Sequence, residues 1–483
     1  MKKQINHFFS ILLAIAAVFA ILSCSKDRPP RKGVILEQRS LILTIGASEK
    51  LNYTLTPEAL PDPGLIWTSS NENVATVSSE GIVTAVNYNA DGPAQFLATI
   101  AAGTAEITVQ TADEKYKDTI TVTTTMQALV DILDLPPMKD QFNSYFMMGN
   151  IFVPNDASPS EIVNQRLIRH YNILTPENAM KPDALAPGRS TYNFNTADRM
   201  VNAALASGFK VHGHTLLWHQ QNGAWKDRVA RMEKDEALVV MKRYITDIVT
   251  HFNGRIYSWD VLNEIITDGA SPGHNWELSL RKENPWFAAI GPDFIYEGFL
   301  AARLADPSVI LYYNDYNTDQ NGKATMIRNM VQDVNARYRR EYPNETRLLI
   351  EGIGMQEHHN TGVAVASIRR TIDLFRPLGV RLSVAELDII GQSWSDFRAN
   401  GGAGANRHDR ANVTNNGLRE QARLYGEYFK LYMDNADIIE RVSLWGVVDN
   451  QSWRSRGLPL LFDPEGKAKP AYYSIISALE SVQ

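Results

Sequence analysis

The chain has 483 residues, more than one compact domain usually contains, so we expect two or three folded units. Its hydrophobic fraction of 44% and charged fraction of 21% are ordinary for a soluble globular protein. The net charge is −6 at pH 7 and no basic run occurs, which argues against a nucleic acid as partner.

The N-terminus has the pattern of an export signal. Lys2 and Lys3 precede an uncharged, mainly apolar run that ends near Leu22, and the single cysteine of the chain, Cys24, follows this run. This placement resembles a bacterial lipoprotein signal, in which the cysteine is lipidated and becomes N-terminal. An ordinary signal peptide and an uncleaved anchor are the alternatives. We therefore expect residues 1–24 to direct export, with the mature protein anchored by lipid at the cell surface or in the periplasm, or otherwise secreted.

A short tether and an all-β domain are predicted next. Residues 25–33 are polar and proline-rich, and residues 34–125 contain short alternating runs separated by turn residues. The runs are LILTI (41–45), ATVSS (75–79), GIVTAV (81–86), AEITVQT (105–111) and TITVTTT (119–125). The segment LIWTSSNENVATVSSEGIVTAV resembles the bacterial Ig-like domain of group 2, which implies a β-sandwich. It shows no cluster of carboxylates or histidines, so we expect a spacer, with a glycan or cell-wall binder as the alternative.

From residue 126 to the C-terminus, strand patterns alternate with helix patterns. Apolar strand candidates are residues 146–152, 171–177, 209–218, 258–264, 309–317, 351–358, 380–389 and 441–450. Segments with apolar residues at helical spacing lie between them, for example 161–171, 235–252, 326–341 and 418–433. Eight strands that alternate with helices favour a parallel (β/α)8 TIM barrel over residues 126–483, giving an α/β fold preceded by an immunoglobulin-like sandwich.

Most of these strands begin with apolar residues and end with polar or aromatic ones. The C-terminal ends of parallel barrel strands meet at one face, so these side chains should line one cleft. Glu264 and Glu386, on two different strands, would then face each other across a groove lined with tryptophan. Glycoside hydrolysis needs this arrangement, because one carboxyl group protonates the leaving oxygen and the other attacks or stabilises the anomeric carbon.

Taken singly, each of these residues has an ordinary structural explanation. Glu264 alone could be a solvated loop residue, His214 a hydrogen-bonded core histidine, and Trp445 a core aromatic. Asp260 lies in the middle of its strand and is interpreted as part of a structural network, outside the catalytic set.

Seven motifs follow one another within residues 128–483, namely TPENAMKPD, GHTLLWHQQ, WDVLNE, YYNDYN, GIGMQEH, VAELDI and LWGVVDNQSWR. Together and in this order they resemble glycoside hydrolase family 10, the endo-1,4-β-xylanases. The resemblance implies a retaining endo-1,4-β-xylanase that hydrolyses internal bonds of xylan by double displacement. Xylan and xylo-oligosaccharides are the implied partners, and neither a cofactor nor a catalytic metal is implied. We expect a monomer that meets a membrane only through its N-terminal lipid.

The resemblance also implies individual roles. Glu264 matches the general acid/base and Glu386 the nucleophile. Asn263 matches the amide that holds the 2-hydroxyl of the reacting sugar, and His358, backed by Asp388, matches the histidine that hydrogen-bonds the nucleophile. The residues that match sugar-binding positions are Glu177, Asn178, Lys181, His214, Trp218, Gln221, Gln356, Trp445 and Trp453. Crowding by Gln221 and Trp453 near C5 of a sugar would favour xylose over glucose.

Three other interpretations remain open at this stage. His212 and His214 form an H-x-H pair of the kind found in some metal-dependent barrel hydrolases, although no further ligand set accompanies it. Activity on β-1,4-glucan or aryl cellobiosides could exceed that on xylan. A non-catalytic glycan-binding protein would have lost one of the two glutamates, and both are present.

The long segments 267–286 and 391–417 follow the two glutamate strands and should overhang the mouth of the barrel.

Overall fold

The computed structural model describes residues 33–56, 64–86, 103–125, 130–158, 161–188, 191–223, 226–273, 275–403 and 413–482. The chain divides into two compact units, one with residues 1–90 and 99–127 and the other with residues 91–98 and 128–483. The predicted signal segment with Cys24, and the predicted tether except Gly33, lie outside the described residues. Within those described ranges, no helix is both long enough and apolar enough to cross a membrane.

The described part of the first unit consists of short strands. They are β1 (Gly33–Leu36), β2 (Ser40–Thr44), β3 (Ser48–Lys50), β4 (Tyr53–Thr56), β5 (Leu65–Ser69), β6 (Ala75–Val77), β7 (Ile82–Ala85), β8 (Thr104–Thr111) and β9 (Lys117–Thr125). They form sheets in the orders β1-β4, β2-β9-β8-β5 and β3-β7-β6. The β2–β9 pair is parallel and the other pairs are antiparallel.

A hydrophobic core explains why these strands pair. Along β8, Ala105, Ile107 and Val109 are buried at alternate positions, and they pack with Ile120 and Val122 of β9. Because every second side chain points to the same face of a strand, one face of the sheet is apolar and packs inward. All five predicted strands are present, with ends shifted by one or two residues. The prediction of a small all-β, Ig-like domain is confirmed.

The second unit is a closed barrel of parallel strands. The strands are β10 (Met147–Phe152), β11 (Ile173–Pro176), β12 (Lys210–Leu217), β13 (Ser258–Asn263), β14 (Ile310–Asp315), β15 (Gly352–Met355), β16 (His358–Asn360), β17 (Arg381–Ile390) and β18 (Ile439–Leu444). Neighbouring strands pair in parallel from β10 to β15, β15 pairs with β17, and β18 closes the barrel by pairing with both β17 and β10. The predicted (β/α)8 barrel is confirmed.

Helices surround the barrel. The α-helices are α1 (Met138–Gln141), α2 (Ile162–His170), α3 (Pro182–Leu185), α4 (Asn195–Ala206), α5 (Lys226–Val229), α6 (Lys234–His251), α7 (Pro285–Ile290), α8 (Asp293–Ala305), α9 (Asn321–Glu341), α10 (Val365–Phe375), α11 (Trp394–Ala399), α12 (Asn415–Met433) and α13 (Pro470–Glu480). Short 3₁₀ turns lie at Ile132–Asp134, Pro154–Ala157, Trp276–Ser279, Arg376–Leu378, Asp449–Gln451 and Ser455–Gly457. In α6, buried Met241, Tyr244, Ile245 and Ile248 recur at helical spacing, so one stripe of the helix packs on the strands.

Three strands differ from the prediction. The expected strand at 441–450 runs from Ile439 only to Leu444, and a 3₁₀ turn follows at Asp449–Gln451. The expected strand at 351–358 is interrupted, because Glu357 has a φ of +60° and the extended backbone resumes only at His358, in β16. The expected strand at 380–389 continues to Ile390, since β16 pairs with its C-terminal half. Glu386 therefore lies inside β17 rather than at the point where the chain leaves the strand.

Candidate active site

Glu264 follows directly after β13, the fourth strand of the barrel. Its φ of +56° places the backbone in the left-handed region, which is uncommon for glutamate. Its N–H donates to the Asn314 carbonyl oxygen over 2.9 Å, and its own carbonyl oxygen accepts from Arg281 Nε over 3.1 Å. The next residue, Ile265, donates its N–H to the Tyr313 hydroxyl over 3.2 Å. These bonds hold the chain where it leaves the strand.

The Glu264 carboxylate is buried and accepts hydrogen bonds at both oxygens. Trp218 Nε1 donates to Oε2 over 2.9 Å. Gln356 Nε2 and Asn263 Nδ2 donate to Oε1 over 3.0 and 3.2 Å. Only 9% of Glu264 is exposed, so these donors replace most of the water that would otherwise solvate the group.

Glu386 lies on β17, the seventh strand, and is also buried. Its Oε1 accepts from Asn314 Nδ2 over 2.7 Å, and its Oε2 lies 3.2 Å from His358 Nε2. Its backbone N–H donates to the Gln356 carbonyl oxygen over 3.0 Å. In the structure the amide nitrogen of Asn263 donates to Glu264, and the donor at Glu386 is Asn314.

The pKa values of the two carboxyl groups shift in opposite directions. Burial raises the pKa of Glu264, and the charges of Asp315 and Glu386 add to the rise, which exceeds the opposing effect of its hydrogen bonds. Burial alone would also raise the pKa of Glu386. The hydrogen bond from His358 and the positive charge there outweigh burial, and the pKa of Glu386 is lowered. The site therefore favours one protonated and one ionised carboxyl group.

His358 supplies a positive charge next to Glu386 that lowers the pKa of this carboxyl group. Its Nδ1 lies 3.0 Å from Asp388 Oδ2, while Nε2 faces Glu386. Burial alone would lower the pKa of His358, but Asp388 and Glu386 raise it to about 9. Both ring nitrogens then donate, one to each carboxylate. Asp388 is fully buried and is also paired with the Arg454 guanidinium, which lowers its pKa against the effect of burial.

A network of amides connects the two carboxylates. Asn314 Nδ2 donates to Asn263 Oδ1 over 3.1 Å as well as to Glu386, and Gln356 Nε2 donates to Asn263 Oδ1 over 3.2 Å as well as to Glu264. Gly354 permits this close packing, because a Cβ at that position would come within 2.3 Å of Asn314 Oδ1. The network orients both carboxylates before any ligand binds.

Lys181 and its neighbours extend the site from β11. Lys181 Nζ donates to Asn178 Oδ1 over 2.9 Å and lies 5.1 Å from the centre of the Trp218 ring. Burial lowers the pKa of Lys181 against the opposing negative charges of Glu386, Glu177 and Glu264. Gln221 Nε2 lies 3.5 Å from the same Asn178 oxygen. The predicted residues from β11 and β12 therefore join the two glutamates in one group.

His214 and the tryptophans form another side of the site. His214 Nδ1 lies 2.8 Å from Asp260 Oδ2, and the His214 ring meets the Trp445 ring edge-on with 5.6 Å between centres. Trp445 is buried, whereas Trp453 is 38% exposed and lies 5.1 Å from the His358 ring. Trp453 is therefore the more open of the two indole surfaces, and such a surface suits the apolar face of a sugar ring.

The H-x-H pair has a structural partner. His212 Nε2 lies 3.0 Å from Asp260 Oδ2, the oxygen that His214 also approaches, and His212 Nδ1 lies 2.7 Å from Ser258 Oγ. In the part of the chain that the structure describes, no group of three or more His, Cys, Asp or Glu side chains has the spacing to hold a metal ion. The pair thus anchors β12 to β13, and the interpretation of Asp260 as a network residue agrees with its contacts.

Comparison with known proteins agrees with this geometry. The profile of Glycosyl hydrolase family 10 matches residues 137–478, more than half of the chain. The chain belongs to glycosyl hydrolase family 10. A second profile, the bacterial Ig-like domain of group 2, matches residues 31–122.

Two solved structures are similar to this family 10 chain over most of their length. A family 10 xylanase from termite gut that contains a bacterial Ig-like domain is 52% identical, with 92% of this chain and 99% of that chain covered and a TM-score of 0.76. An intracellular xylanase of Thermoanaerobacterium saccharolyticum, solved with xylotriose, is 32% identical, with 73% and 100% covered and a TM-score of 0.61.

The first four curated relatives are longer proteins, whereas an endo-1,4-beta-xylanase of Geobacillus stearothermophilus is 31% identical with 71% of this chain and 98% of that protein covered. The exoglucanase XynX of Acetivibrio thermocellus is 34% identical over 361 residues, which cover 72% of this chain and 30% of that protein. The chain spans between 28% and 33% of the length of the first four curated relatives, of which the other three bear the name endo-1,4-beta-xylanase A. The similarity to these four proteins therefore covers about a third of their length.

Some contributing residues were absent from the predicted site. Asn314 and Asp315 belong to the YYNDYN motif but had no predicted role, and Asn314 bridges Glu386 and Asn263. Arg454, directly after Trp453, supports Asp388, and Arg281 holds the Glu264 carbonyl. Their positions at or after the C-terminal ends of barrel strands were the available signal, but the partner of each depends on the register between strands.

Proposed function

We propose that this protein is a retaining endo-1,4-β-xylanase. The observation that carries the proposal is a pair of buried carboxyl groups with opposite pKa shifts, Glu264 and Glu386, joined by one amide network at the C-terminal end of the barrel. The xylanases among its relatives support xylan as the substrate.

In the proposed first step, the Glu386 carboxylate attacks the anomeric carbon of a bound xylose. Glu264 gives its proton to the glycosidic oxygen, so the bond to the leaving chain breaks and an ester forms between the sugar and Glu386. Loss of the Glu386 charge removes one cause of the high Glu264 pKa. Glu264, now a carboxylate, then takes a proton from water as the water oxygen attacks the same carbon and releases Glu386.

The supporting roles follow from the contacts of each residue. His358 and Asp388 keep Glu386 ionised in this proposal, while Asn263 and Gln356 donate to the acid Glu264 and are proposed to meet a sugar hydroxyl as well. The residues proposed to bind the sugars are Glu177, Asn178, Lys181, His214, Trp218, Gln221, Trp445 and Trp453. Retention requires a separation of about 5–5.5 Å between the two carboxyl groups, and this separation stays a prediction.

Proton NMR of the first-formed sugar tests the reaction class. A β-anomer appearing before mutarotation is expected, whereas an α-anomer would contradict the mechanism. Glu386→Ala with added azide tests the nucleophile, since rescue should give a glycosyl azide of inverted configuration. Glu427→Ala, a surface glutamate of α12 that pairs with Arg423, is a control expected to keep wild-type activity without azide.

A β-1,4-glucanase is the second candidate, because a curated relative of 34% identity is called an exoglucanase. Product profiles on arabinoxylan, glucuronoxylan and carboxymethyl-cellulose separate the two. Rapid loss of xylan viscosity with a ladder of products supports the proposed endo-xylanase. Faster cleavage of the cellulose derivative supports the glucanase.

Chelation tests a separate point. Full activity after treatment with a chelator supports a reaction that needs no metal ion.

The N-terminal regions have proposed roles of their own. We propose that Cys24 is lipidated and anchors the exported protein, which the signal pattern of residues 1–24 supports. Radiolabelled palmitate should enter the wild-type chain and not Cys24→Ala, and equal labelling would contradict the proposal.

We propose that the Ig-like domain is a spacer. Pull-down of the isolated domain on insoluble xylan and cell walls should then find no binding.

A further inference from the structure

The segment after β17 places an exposed aromatic side chain close to the candidate active site. Helix α11 begins at Trp394, and Ser393 caps it, since Ser393 Oγ accepts from the Asp396 N–H over 3.2 Å. Trp394 is 42% exposed, whereas Phe397, one turn further, is fully buried. Trp394 therefore offers an indole surface that a ligand can reach, and the contacts around it decide which ligand that surface suits.

Arg454 links this indole to the active site. Its guanidinium carbon lies 5.4 Å from the Trp394 ring centre and 5.9 Å from the Trp453 ring centre. Trp453 in turn lies 5.1 Å from the ring of His358. Arg454 is buried and forms an ion pair with Asp388, so its guanidinium is not available to bind a ligand. The two exposed indoles therefore flank one buried cation and lie on the same side of the site.

Arg398 adds a positive charge to the exposed indole. Arg398 is exposed, and its guanidinium carbon lies 5.8 Å from the Trp394 ring centre. Within the ranges described above, no carboxylate forms an ion pair with it. The Asp396 carboxylate of the same helix accepts from Ser393 Oγ over 2.6 Å instead. An exposed aromatic ring beside a guanidinium that has no carboxylate partner among the described residues suits a sugar ring that carries a carboxylate.

The surrounding contacts hold this pair in place. The Phe397 ring packs 5.6 Å from the Trp394 ring, and the Phe397 carbonyl oxygen accepts from the Gly402 N–H over 2.9 Å. The Arg456 guanidinium donates to the Asn400 carbonyl oxygen at the end of the helix. A ligand would therefore meet a formed surface and would not have to order it.

We propose that Trp394 and Arg398 form a subsite for a uronic acid substituent of the polysaccharide in the active site. The substituent ring packs on the exposed part of the indole, and its carboxylate accepts hydrogen bonds from Arg398. This inference rests on the proposed function, because the main chain must already lie beside Trp453. Neutral substituents such as arabinose would gain the ring contact without the ion pair, so glucuronoxylan should be cleaved better than arabinoxylan.

The test compares kcat/KM on glucuronoxylan, arabinoxylan and unsubstituted xylohexaose. Arg398→Gln should lower the value on glucuronoxylan about two- to fivefold, the effect of a solvent-exposed ion pair, and should leave xylohexaose unchanged. High salt should reduce the wild-type preference for glucuronoxylan, because the pair is screened. Arg340→Gln, an exposed arginine near the C-terminal end of α9, is the matched control and should change none of the three values.

Trp394→Ala should lower cleavage of both substituted xylans and spare xylohexaose, with an unchanged circular dichroism spectrum. Equal losses on all three substrates, or wild-type values for both variants, would overturn the subsite while leaving the xylanase proposal intact. A wild-type protein that cleaves none of the three substrates would overturn both proposals together.

Discussion

The Nε2 of His358 lies 3.2 Å from Oε2 of Glu386, and the Nδ1 of the same ring lies 3.0 Å from Asp388. Because the pKa of His358 is raised to about 9, this ring is an imidazolium over the acidic and neutral range. A buried positive charge thus accompanies the proposed nucleophile throughout that range, and it offsets the burial that would otherwise favour a neutral carboxyl group.

The first prediction concerns a variant that lacks the positive charge of His358. His358→Gln keeps a hydrogen-bond donor but loses the positive charge, so the lowered pKa of Glu386 should rise. The acidic limb of the kcat/KM profile should then move to higher pH, and kcat/KM at neutral pH should fall by roughly 10²-fold. The measurement is kcat/KM against pH on an aryl xylobioside. His251→Gln, a partly exposed histidine paired with Asp198, should leave the limb in place. An unmoved limb in His358→Gln would contradict the assigned electrostatic role.

The second prediction concerns the alkaline limb, which should report the proposed acid Glu264. Trp218 Nε1 donates to the Glu264 carboxylate, and this bond lowers a pKa that burial raises. Trp218→Phe keeps an aromatic ring without the donor, so the pKa of Glu264 should rise further. The alkaline limb should move upward by up to about one pH unit. Movement to lower pH would mean that another group controls this limb.

The third prediction tests the bridging amide. Asn314→Asp keeps the shape of the side chain but places a second carboxylate against Glu386, where Nδ2 now donates over 2.7 Å. Like charges at this distance raise the pKa of at least one of the two groups, so the active ionised form of Glu386 should be depleted at neutral pH. We expect kcat/KM at neutral pH to fall by roughly 10²-fold or more, with partial recovery as the pH rises. Asn329→Asp, on helix α9, is the control. Unchanged kinetics in Asn314→Asp would remove Asn314 from the mechanism.

Most of the barrel could be predicted because its strands are short apolar runs that end in polar residues, and because parallel strands align those ends at one face. The prediction failed where local pattern does not determine the backbone. Nothing in GMQEHH reveals that Glu357 takes a positive φ and interrupts the strand. The His359 Nε2 lies 2.6 Å from Glu357 Oε2, and such a contact becomes visible only in three dimensions.

In the candidate active site, too, the sequence predicted some residues and not the contacts between them. Motifs and strand ends indicated the two glutamates and the histidine, since these residue types are rarely placed together at strand ends without partners. The donors were harder to assign. Asn263 and Asn314 both end apolar strands, and only the pairing of β13 with β14 and of β15 with β17 decides which amide meets Glu386. The ion pair between Arg454 and Asp388 joins residues 66 positions apart and has no local signature.

The last prediction concerns stability. His170 is fully buried; its Nδ1 accepts from the Met138 N–H over 3.3 Å, so Nε2 carries the proton and donates to the Ile132 carbonyl oxygen over 2.6 Å. Burial lowers the pKa of His170 from 6.5 to about 4, and the positive charges of Arg169 and Lys139 add to the decrease.

The sign of the effect follows from proton binding. Below pH 6.5 the unfolded chain binds a proton at His170 that the folded chain does not bind until the pH nears 4. Because the histidine is neutral in both states above pH 6.5, the lowered pKa has no effect on stability there, and the free energy of unfolding decreases by about 3 kcal/mol as the pH falls from 6.5 toward 4. His170→Gln can keep both hydrogen bonds without titrating, so its free energy of unfolding should decline less over this interval. Urea unfolding of both proteins at several pH values measures the difference. His212 also has a pKa lowered to about 4 and remains in the variant, so some decline persists. Parallel curves for the two proteins would show that His170 does not titrate on unfolding in this range.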